Sequence, residues 1–187
     1  MLPVVFAHGM EGSPQGTKAA FLREELGAVS PWLGELGLAG QVEALGLAIG
    51  GQGPAVLVGS SLGGLSALGL AASRSELIAH LVLLAPAVGM ARRAELRPEV
   101  EQRRPGLFDE SREFSELAVP ASLPATIVHG LEDDVIRLED VLDLAARSPS
   151  AGLILVHDDH PLHGSRELIT ALVRRAAQGR DPLAGGP

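Results

Sequence analysis

The residues with the clearest chemical potential lie in the stretch Gly59–Gly64, where Ser61 occupies the centre of a Gly-x-Ser-x-Gly pattern. The apolar run Ala55–Val58 precedes it and a segment of helical period begins at Leu62, so the pattern falls on a strand–turn–helix junction. The flanking glycines leave room for the sharp, strained turn that exposes a serine hydroxyl. The pattern predicts Ser61 as a nucleophile, with Ser60 out of register; a purely structural turn is the alternative.

A serine that attacks a carbonyl group needs two N–H donors for the oxyanion that forms. The N–H of Leu62 directly follows the serine and is the first candidate. Met10 follows the first apolar run, Leu2–Ala7, and its N–H is the second candidate, with Gly9 allowing the chain to bend close. A plain turn at the end of the strand is the alternative interpretation.

A nucleophilic serine also needs a histidine base and a carboxylate that orients the base. Two adjacent acids, Asp133 and Asp134, follow the apolar run that ends at His129. Candidate bases follow the last apolar run, in the segment His157–His163. The order serine, acid, histidine along the chain favours this interpretation over a solvated turn or a helix start.

Two rival chemistries have weaker support. His157, His160 and His163 are spaced by three residues, as metal ligands could be, but Pro161 opposes a regular helix through them. The segment Gly12–Lys18 follows a strand and opens a helix, but its Gly-Thr-Lys order differs from the Gly-Lys-Ser/Thr of a phosphate-binding loop. We therefore predict neither a metal site nor a nucleotide site.

The elements that must position these residues alternate along the chain. Short apolar runs, typical of strands buried on both faces, alternate with segments of helical period. They predict a single α/β domain over residues 1–187, with a mostly parallel sheet of about six strands flanked by helices. The runs are Leu2–Ala7, Ala55–Val58, His80–Leu84, Thr126–His129 and Leu153–His157, with a weaker one at Ala28–Leu33.

One segment interrupts the alternation. Arg92–Glu116 contains six basic and seven acidic residues, between the runs that end at Leu84 and begin at Thr126. A solvated connecting helix is one interpretation of the segment. The other is a small cap insertion over residues 90–122, since insertions in such sheets often serve as lids.

Composition limits the remaining possibilities. The 187 residues carry a net charge of −8, which argues against nucleic acid or an anionic membrane as the main partner. The chain lacks cysteine, which excludes disulfides and thiolate metal sites. We see neither a signal-peptide pattern nor a membrane-spanning apolar run, so we expect a cytoplasmic protein.

Three segments together resemble the small YqiA-like bacterial serine esterases of the α/β-hydrolase superfamily: His8–Ala19, Gly59–Gly64 and Ala85–Val88. His129–Ile136 and Asp159–His160 look like the acid and base segments of that superfamily. The resemblance implies Ser61, Asp133 and His160 as the catalytic triad, and no cofactor. It also implies a small-molecule ester or thioester as the substrate.

Within the acid segment, Asp133 lies three residues after Gly130, as the His-Gly-x-x-Asp pattern requires, and Asp134 better suits a helix start. In the base segment, His160 is favoured over His163 because Asp159 precedes it. The sequence thus predicts a serine hydrolase that works through an acyl-enzyme, with Ser61, His160 and Asp133 as catalytic residues. The alternative is a non-catalytic protein of the same fold that binds a small ligand or a partner.

Overall fold

The computed structural model describes residues 1–184 and contains a five-stranded, fully parallel sheet with strands in chain order. The strands are β1 (Val4–Ala7), β2 (Ala55–Ser60), β3 (Ile78–Leu84), β4 (Ala125–Gly130) and β5 (Ala151–Val156). They contain almost only apolar residues because helices cover both faces of the sheet. The five well-defined apolar runs of the sequence therefore correspond to the five strands.

Seven α-helices connect and flank the strands. They are α1 (Thr17–Leu26), α2 (Leu38–Ile49), α3 (Leu62–Ser73), α4 (Arg97–Arg103), α5 (Leu107–Ser115), α6 (Leu138–Ala146) and α7 (Arg166–Ala177). Single turns of 3-10 helix occur at Gly50–Gln52, Ser75–Leu77, Met90–Arg92 and Ala94–Leu96. The architecture is that of an α/β fold with one sheet, as the sequence predicted.

Alternate side chains of the strands enter two separate cores. Leu57 and Leu81 point to the face covered by α2, α3 and α6, together with Ile127. Val56 and Val82 point to the opposite face, which α1 and α7 cover. Strands β1 to β4 are thus buried on both sides, whereas β5, at the edge of the sheet, is only partly buried.

The expected count of about six strands is one too many for the described residues. The weak run Ala28–Leu33 contributes only one bridge, in which Val29 pairs with Val5 of β1. Pro31 has no N–H with which to continue a ladder. The Ser30 hydroxyl, rather than a backbone group, donates to the Phe6 carbonyl at 2.9 Å. The segment therefore has a strand-like sequence, but only Val29 pairs with a neighbouring strand.

Helix α1 begins later than a local sequence pattern suggests. Serine followed by proline is typical of a helix start, and Ser13-Pro14 fits this pattern, yet the helix begins at Thr17 and Gly16 is the cap residue. A turn occupies the intervening residues: Gly16 N–H donates to the Ser13 carbonyl at 3.0 Å. The extra turn lets the chain after β1 pass over the sheet edge before the helix starts.

The order of the chain creates a crevice at the carboxyl ends of β1 and β2. After β1 the chain runs to Val29 on one side of that strand, and it then returns through α2 to form β2 on the other side. Such a reversal opens a crevice outside the strand ends, where ligands bind in open α/β sheets. Ala7 pairs with Gly59 in the register of the two strands, so the segments that follow them lie together.

The charged segment between β3 and β4 forms two turns of 3-10 helix, which are followed by helices α4 and α5. Val100 and Leu107 pack into the core beside Met90. Arg103 pairs with Glu11, in the loop that follows β1. The segment is therefore held against the body of the protein by apolar packing and by an ion pair.

Candidate active site

Ser61 sits in a strained turn between β2 and α3. Its backbone angles, φ 54° and ψ −120°, lie in a region that non-glycine residues rarely adopt. Hydrogen bonds hold the turn on both sides, from Ser61 N–H to the Leu84 carbonyl at 2.9 Å and from Ala87 N–H to the Ser61 carbonyl at 3.0 Å. The neighbouring strand β3 thus fixes the serine in this conformation.

The flanking glycines are required by the space around the turn. A Cβ on Gly63 would collide with the backbone of Ala7, and one on Gly59 would lie 2.6 Å from the Gly63 carbonyl oxygen. Gly9 lies close as well, since a Cβ there would come 3.1 Å from the Ser61 Cβ. The Gly-x-Ser-x-Gly pattern therefore has a steric cause in this fold.

One histidine reaches the serine hydroxyl. His160 Nε2 lies 3.1 Å from Ser61 Oγ, and its Nδ1 lies 2.8 Å from Asp133 Oδ2. The tautomer that satisfies both contacts carries its proton on Nδ1, so that Nε2 accepts the hydrogen bond from the serine. The structure thus brings together the serine, histidine and aspartate that the sequence singled out.

Asp133 is held as a buried carboxylate. Its side chain is 0% exposed, and Oδ1 accepts hydrogen bonds from Val135 N–H at 2.9 Å and Ile136 N–H at 2.8 Å. Burial raises the pKa of Asp133, but the hydrogen bond with His160 and the two backbone N–H groups outweigh it, so the pKa lies below its ordinary value. The carboxylate is therefore ionised at neutral pH.

Within residues 1–184, the alternative residues make no hydrogen bond with the side chains of Ser61, His160 or Asp133. Asp134 is exposed, and so is His163, which lines the cavity beside His160 without a hydrogen bond among residues 1–184. His157 is exposed too. Ser60 Oγ accepts a hydrogen bond from Lys18 at 3.0 Å.

The loop that carries His160 is stiffened by Asp158, a residue the sequence analysis missed. Asp158 Oδ2 accepts hydrogen bonds from Ser165 N–H at 2.8 Å and Ser165 Oγ at 2.7 Å. The Asp158 carbonyl accepts from Glu132 N–H at 3.0 Å, which ties the base loop to the acid loop. An Asp followed seven residues later by the Ser that begins α7 was the available signal.

The proposed oxyanion donors lie on either side of the serine. Neither Met10 N–H nor Leu62 N–H donates to an acceptor within the described part of the chain, and both residues line the cavities at Ser61. His8 holds the loop of Met10, because its Nε2 accepts from Leu33 N–H at 3.2 Å and its Nδ1 lies 2.9 Å from the Gly9 carbonyl. Burial lowers the pKa of His8, so this ring stays neutral and can accept.

Two cavities meet at Ser61. The smaller, about 290 Å³, is lined mainly by apolar side chains, among them Leu62, Met90, Val100 and Ile136. The larger, about 540 Å³, contains the His160 side of the site together with Lys18. Residues of α4 contribute to both, since Val100 lines the smaller cavity and Arg103 the larger. The segment over residues 90–122 is thus part of the wall of the site.

A second buried histidine lies behind the acid. The His129 side chain is 1% exposed, its Nδ1 is 3.7 Å from Asp133 Oδ2, and within residues 1–184 neither ring nitrogen has a hydrogen-bond partner. Burial lowers the pKa of His129, which favours the neutral ring. Sequence reasoning treated this residue only as the end of a strand.

The described part of the chain has neither a cluster of metal-ligating side chains nor a membrane-spanning helix. Among residues 1–184, no three His, Asp or Glu side chains are grouped as a metal site would require. Over the same residues, no helix is long and apolar enough to cross a bilayer.

Known proteins match this chain at both the sequence and the structure level. A family model described as the alpha/beta hydrolase fold matches residues 34–123. Human palmitoyl-protein thioesterase ABHD10, mitochondrial, is 27% identical over 143 residues, which cover 62% of this chain and 46% of that protein. Lipase LipV of Mycobacterium tuberculosis is 44% identical over 63 residues, 33% of this chain and 24% of the lipase. The chain thus spans at most about half the length of these curated relatives.

The solved structures agree on the architecture. Mouse alpha/beta hydrolase domain-containing protein 10 superposes with a TM-score of 0.79 at 20% identity, covering 95% of this chain and 90% of that one. The YqiA-like assignment stays a prediction, as does the cytoplasmic location, since the human relative is named mitochondrial. The strand order, the turn at Ser61 and these matches agree: the chain has the α/β-hydrolase fold.

Proposed function

We propose that the protein is a serine hydrolase that cleaves a carboxylic ester or thioester through an acyl-enzyme. The observation that carries the proposal is the unbroken chain of hydrogen bonds from Asp133 through His160 to Ser61. A histidine so placed can take the serine proton, and the buried carboxylate stabilises the imidazolium that forms. The relatives named as a thioesterase and a lipase support the same reaction class.

The reaction proceeds in two halves. Ser61 Oγ attacks the carbonyl carbon while its proton passes to His160 Nε2, and the N–H groups of Met10 and Leu62 stabilise the oxyanion. The bond from the carbonyl carbon to the leaving oxygen or sulfur then breaks, and His160 returns the proton to that atom. Water, deprotonated by the same histidine, then attacks the acyl carbon, the bond from that carbon to Ser61 Oγ breaks, and His160 returns the proton to Oγ as the acid leaves.

The apolar cavity is the proposed site of the acyl chain. Its side chains come from α3, from the turn at Met90 and from α4, so the 90–122 segment acts as a small cap. Burying each methylene of an acyl chain there is worth about 0.8 kcal/mol. The proposed substrates therefore carry an apolar acyl group longer than acetyl.

Narrowing this cavity should change chain-length preference. Val100→Phe places a larger side chain in the cavity, and we expect kcat/KM for 4-nitrophenyl octanoate to fall about tenfold relative to 4-nitrophenyl acetate. Val29→Phe is the matched control because its side chain is 57% exposed and lines neither cavity at Ser61. An unchanged octanoate-to-acetate ratio in folded Val100→Phe would place the acyl chain elsewhere.

The acid is tested by comparing two neighbours. Asp133→Asn should lower kcat by about 10⁴-fold, because an amide beside Nδ1 favours the wrong histidine tautomer. Asp134→Asn should change kcat less than about threefold, since its side chain is exposed. Steady-state hydrolysis of 4-nitrophenyl butyrate measures both; a larger loss in Asp134→Asn would reverse the assignment.

The leaving atom is tested with a matched pair of substrates. A butyryl ester and a butyryl thioester with matching small alkyl groups present the same acyl group to the cavity. Their ratio of kcat/KM, divided by the ratio of their uncatalysed hydrolysis rates, therefore reports the leaving-group preference of the enzyme. Hydrolysis of neither compound, with the fold intact by circular dichroism, would contradict the proposed reaction.

A further inference from the structure

Lys18 is a cation inside the site that the mechanism does not use. It lies in the first turn of α1, is partly buried, and lines the larger cavity together with Ser61 and His160. Its Nζ donates one hydrogen bond, to Ser60 Oγ at 3.0 Å. Two further N–H donors of the ammonium group are without a partner within residues 1–184.

Lys18 also lacks a counter-ion. Within the described residues no carboxylate oxygen lies within 4.0 Å of its Nζ, whereas Arg103, at the rim of the same cavity, pairs with both Glu11 and Glu99. Partly buried charges are normally paired, because removing them from water costs free energy that only a partner recovers. The cavity therefore holds a desolvated positive charge with donors to spare.

The electrostatics of Lys18 agree with this description. Burial lowers its pKa to about 8, although the more distant carboxylates of Asp159, Asp133 and Asp158 act to raise it. The ammonium form still prevails at neutral pH. An anion in contact with it would restore the stabilisation that burial removes.

The position of Lys18 identifies which part of a substrate it could meet. His160 returns its proton to the leaving atom, so the leaving group must lie on the His160 side of Ser61. His160, Pro161 and His163 line the larger cavity together with Lys18. The apolar cavity of the acyl chain shares Ser61 with it and extends beneath α4 instead.

We propose that the larger cavity receives the leaving group and that Lys18 binds an anionic oxygen group, a carboxylate or a phosphate, carried by that leaving group. The proposal rests on the proposed hydrolase function and adds a specificity-determining residue to it. Natural substrates would then be esters or thioesters whose alcohol or thiol carries a carboxylate or phosphate group. A neutral leaving group would still react, with lower kcat/KM.

The test compares two acetates that differ in one charge: 3-carboxyphenyl acetate, and the same compound with its carboxyl group blocked as a methyl ester. In Lys18→Met the ratio of kcat/KM, charged over neutral, should fall about 10- to 100-fold relative to the wild type. Because this ratio is compared between Lys18→Met and the wild type, the difference in intrinsic reactivity between the two compounds cancels. Lys18→Arg, which keeps the charge, should retain part of the preference.

Three controls separate this role of Lys18 from a general effect of charge. Arg174→Met changes the net charge equally but acts at the other end of α1, where Arg174 pairs with Glu25, and should leave the ratio unchanged. The wild-type ratio should also fall as pH rises through about 8, where free Lys18 loses its proton, and Lys18→Met should show no such fall. Monoethyl succinate, with its charge on the acyl side, should gain nothing from Lys18.

The outcomes are distinguishable. Equal losses for both acetates in Lys18→Met would show that Lys18 only supports the turn at Ser61, and a Lys18-dependent preference for monoethyl succinate would put the anion on the acyl side; either overturns the proposal. If the wild type hydrolyses no ester, the hydrolase function fails instead. Calorimetric binding of 3-hydroxybenzoate, the charged product, then still tests Lys18: binding should weaken in Lys18→Met, and equal binding refutes the site.

Discussion

Ser61→Ala should abolish turnover of short-chain 4-nitrophenyl esters while leaving the fold intact. Loss of the nucleophile removes the covalent route altogether, and in a comparable triad it costs about 10⁶-fold in kcat. The substitution should leave the packing of the core unchanged, because the Ser61 hydroxyl faces the cavities. Initial rates of 4-nitrophenol release and thermal unfolding measure the two effects.

A serine elsewhere on the same helix provides the control. Ser73 ends α3, and its hydroxyl donates to the Gly69 carbonyl at 2.8 Å, far from the cavities. Ser73→Ala should therefore keep wild-type turnover. Substantial activity in folded Ser61→Ala would exclude the acyl-enzyme route.

His160→Ala should produce a loss of comparable size. Without the imidazole, no other side chain of residues 1–184 hydrogen-bonds Ser61 Oγ and could take its proton, and in a comparable triad loss of the base costs about as much as loss of the serine. His163→Ala should change kcat for neutral esters less than about threefold, since its exposed ring bonds neither Ser61 nor Asp133. Stopped-flow and steady-state hydrolysis of the same ester compare the two variants.

The pair of variants also has a clear contradicting result. Near-normal turnover in His160→Ala, with His163→Ala inactive, would move the base to His163. Near-normal turnover in both would mean that neither histidine is the base.

The parts of the fold that the sequence predicted well depend on local patterns. The strands are continuous apolar runs between turn residues, and the turn at Ser61 needs glycines at fixed offsets because Ala7 and Gly64 press against it. Where several local signals compete, one of them can mislead. Ser13-Pro14 resembles a helix start, yet a tight turn at these residues delays α1 to Thr17.

The missed parts of the site depend on contacts between distant segments. Lys18 meets Ser60 across 42 residues, and Asp158 meets Glu132 across 26, so neither contact has a local signature. The contacts of the 90–122 segment, such as the hydrogen bond that Arg104 donates to the Gly34 carbonyl, likewise depend on tertiary packing.

The acyl-enzyme mechanism requires an activated serine, and labelling with a fluorophosphonate probe tests for it without knowledge of the substrate. The wild type should gain the mass of one phosphonyl adduct, and peptide mapping should locate it on Ser61. Labelling should disappear in Ser61→Ala, fall strongly in His160→Ala, and persist in Ser73→Ala. A folded wild-type protein that takes no label, or one labelled equally in Ser61→Ala, would contradict the assignment of Ser61 as the nucleophile.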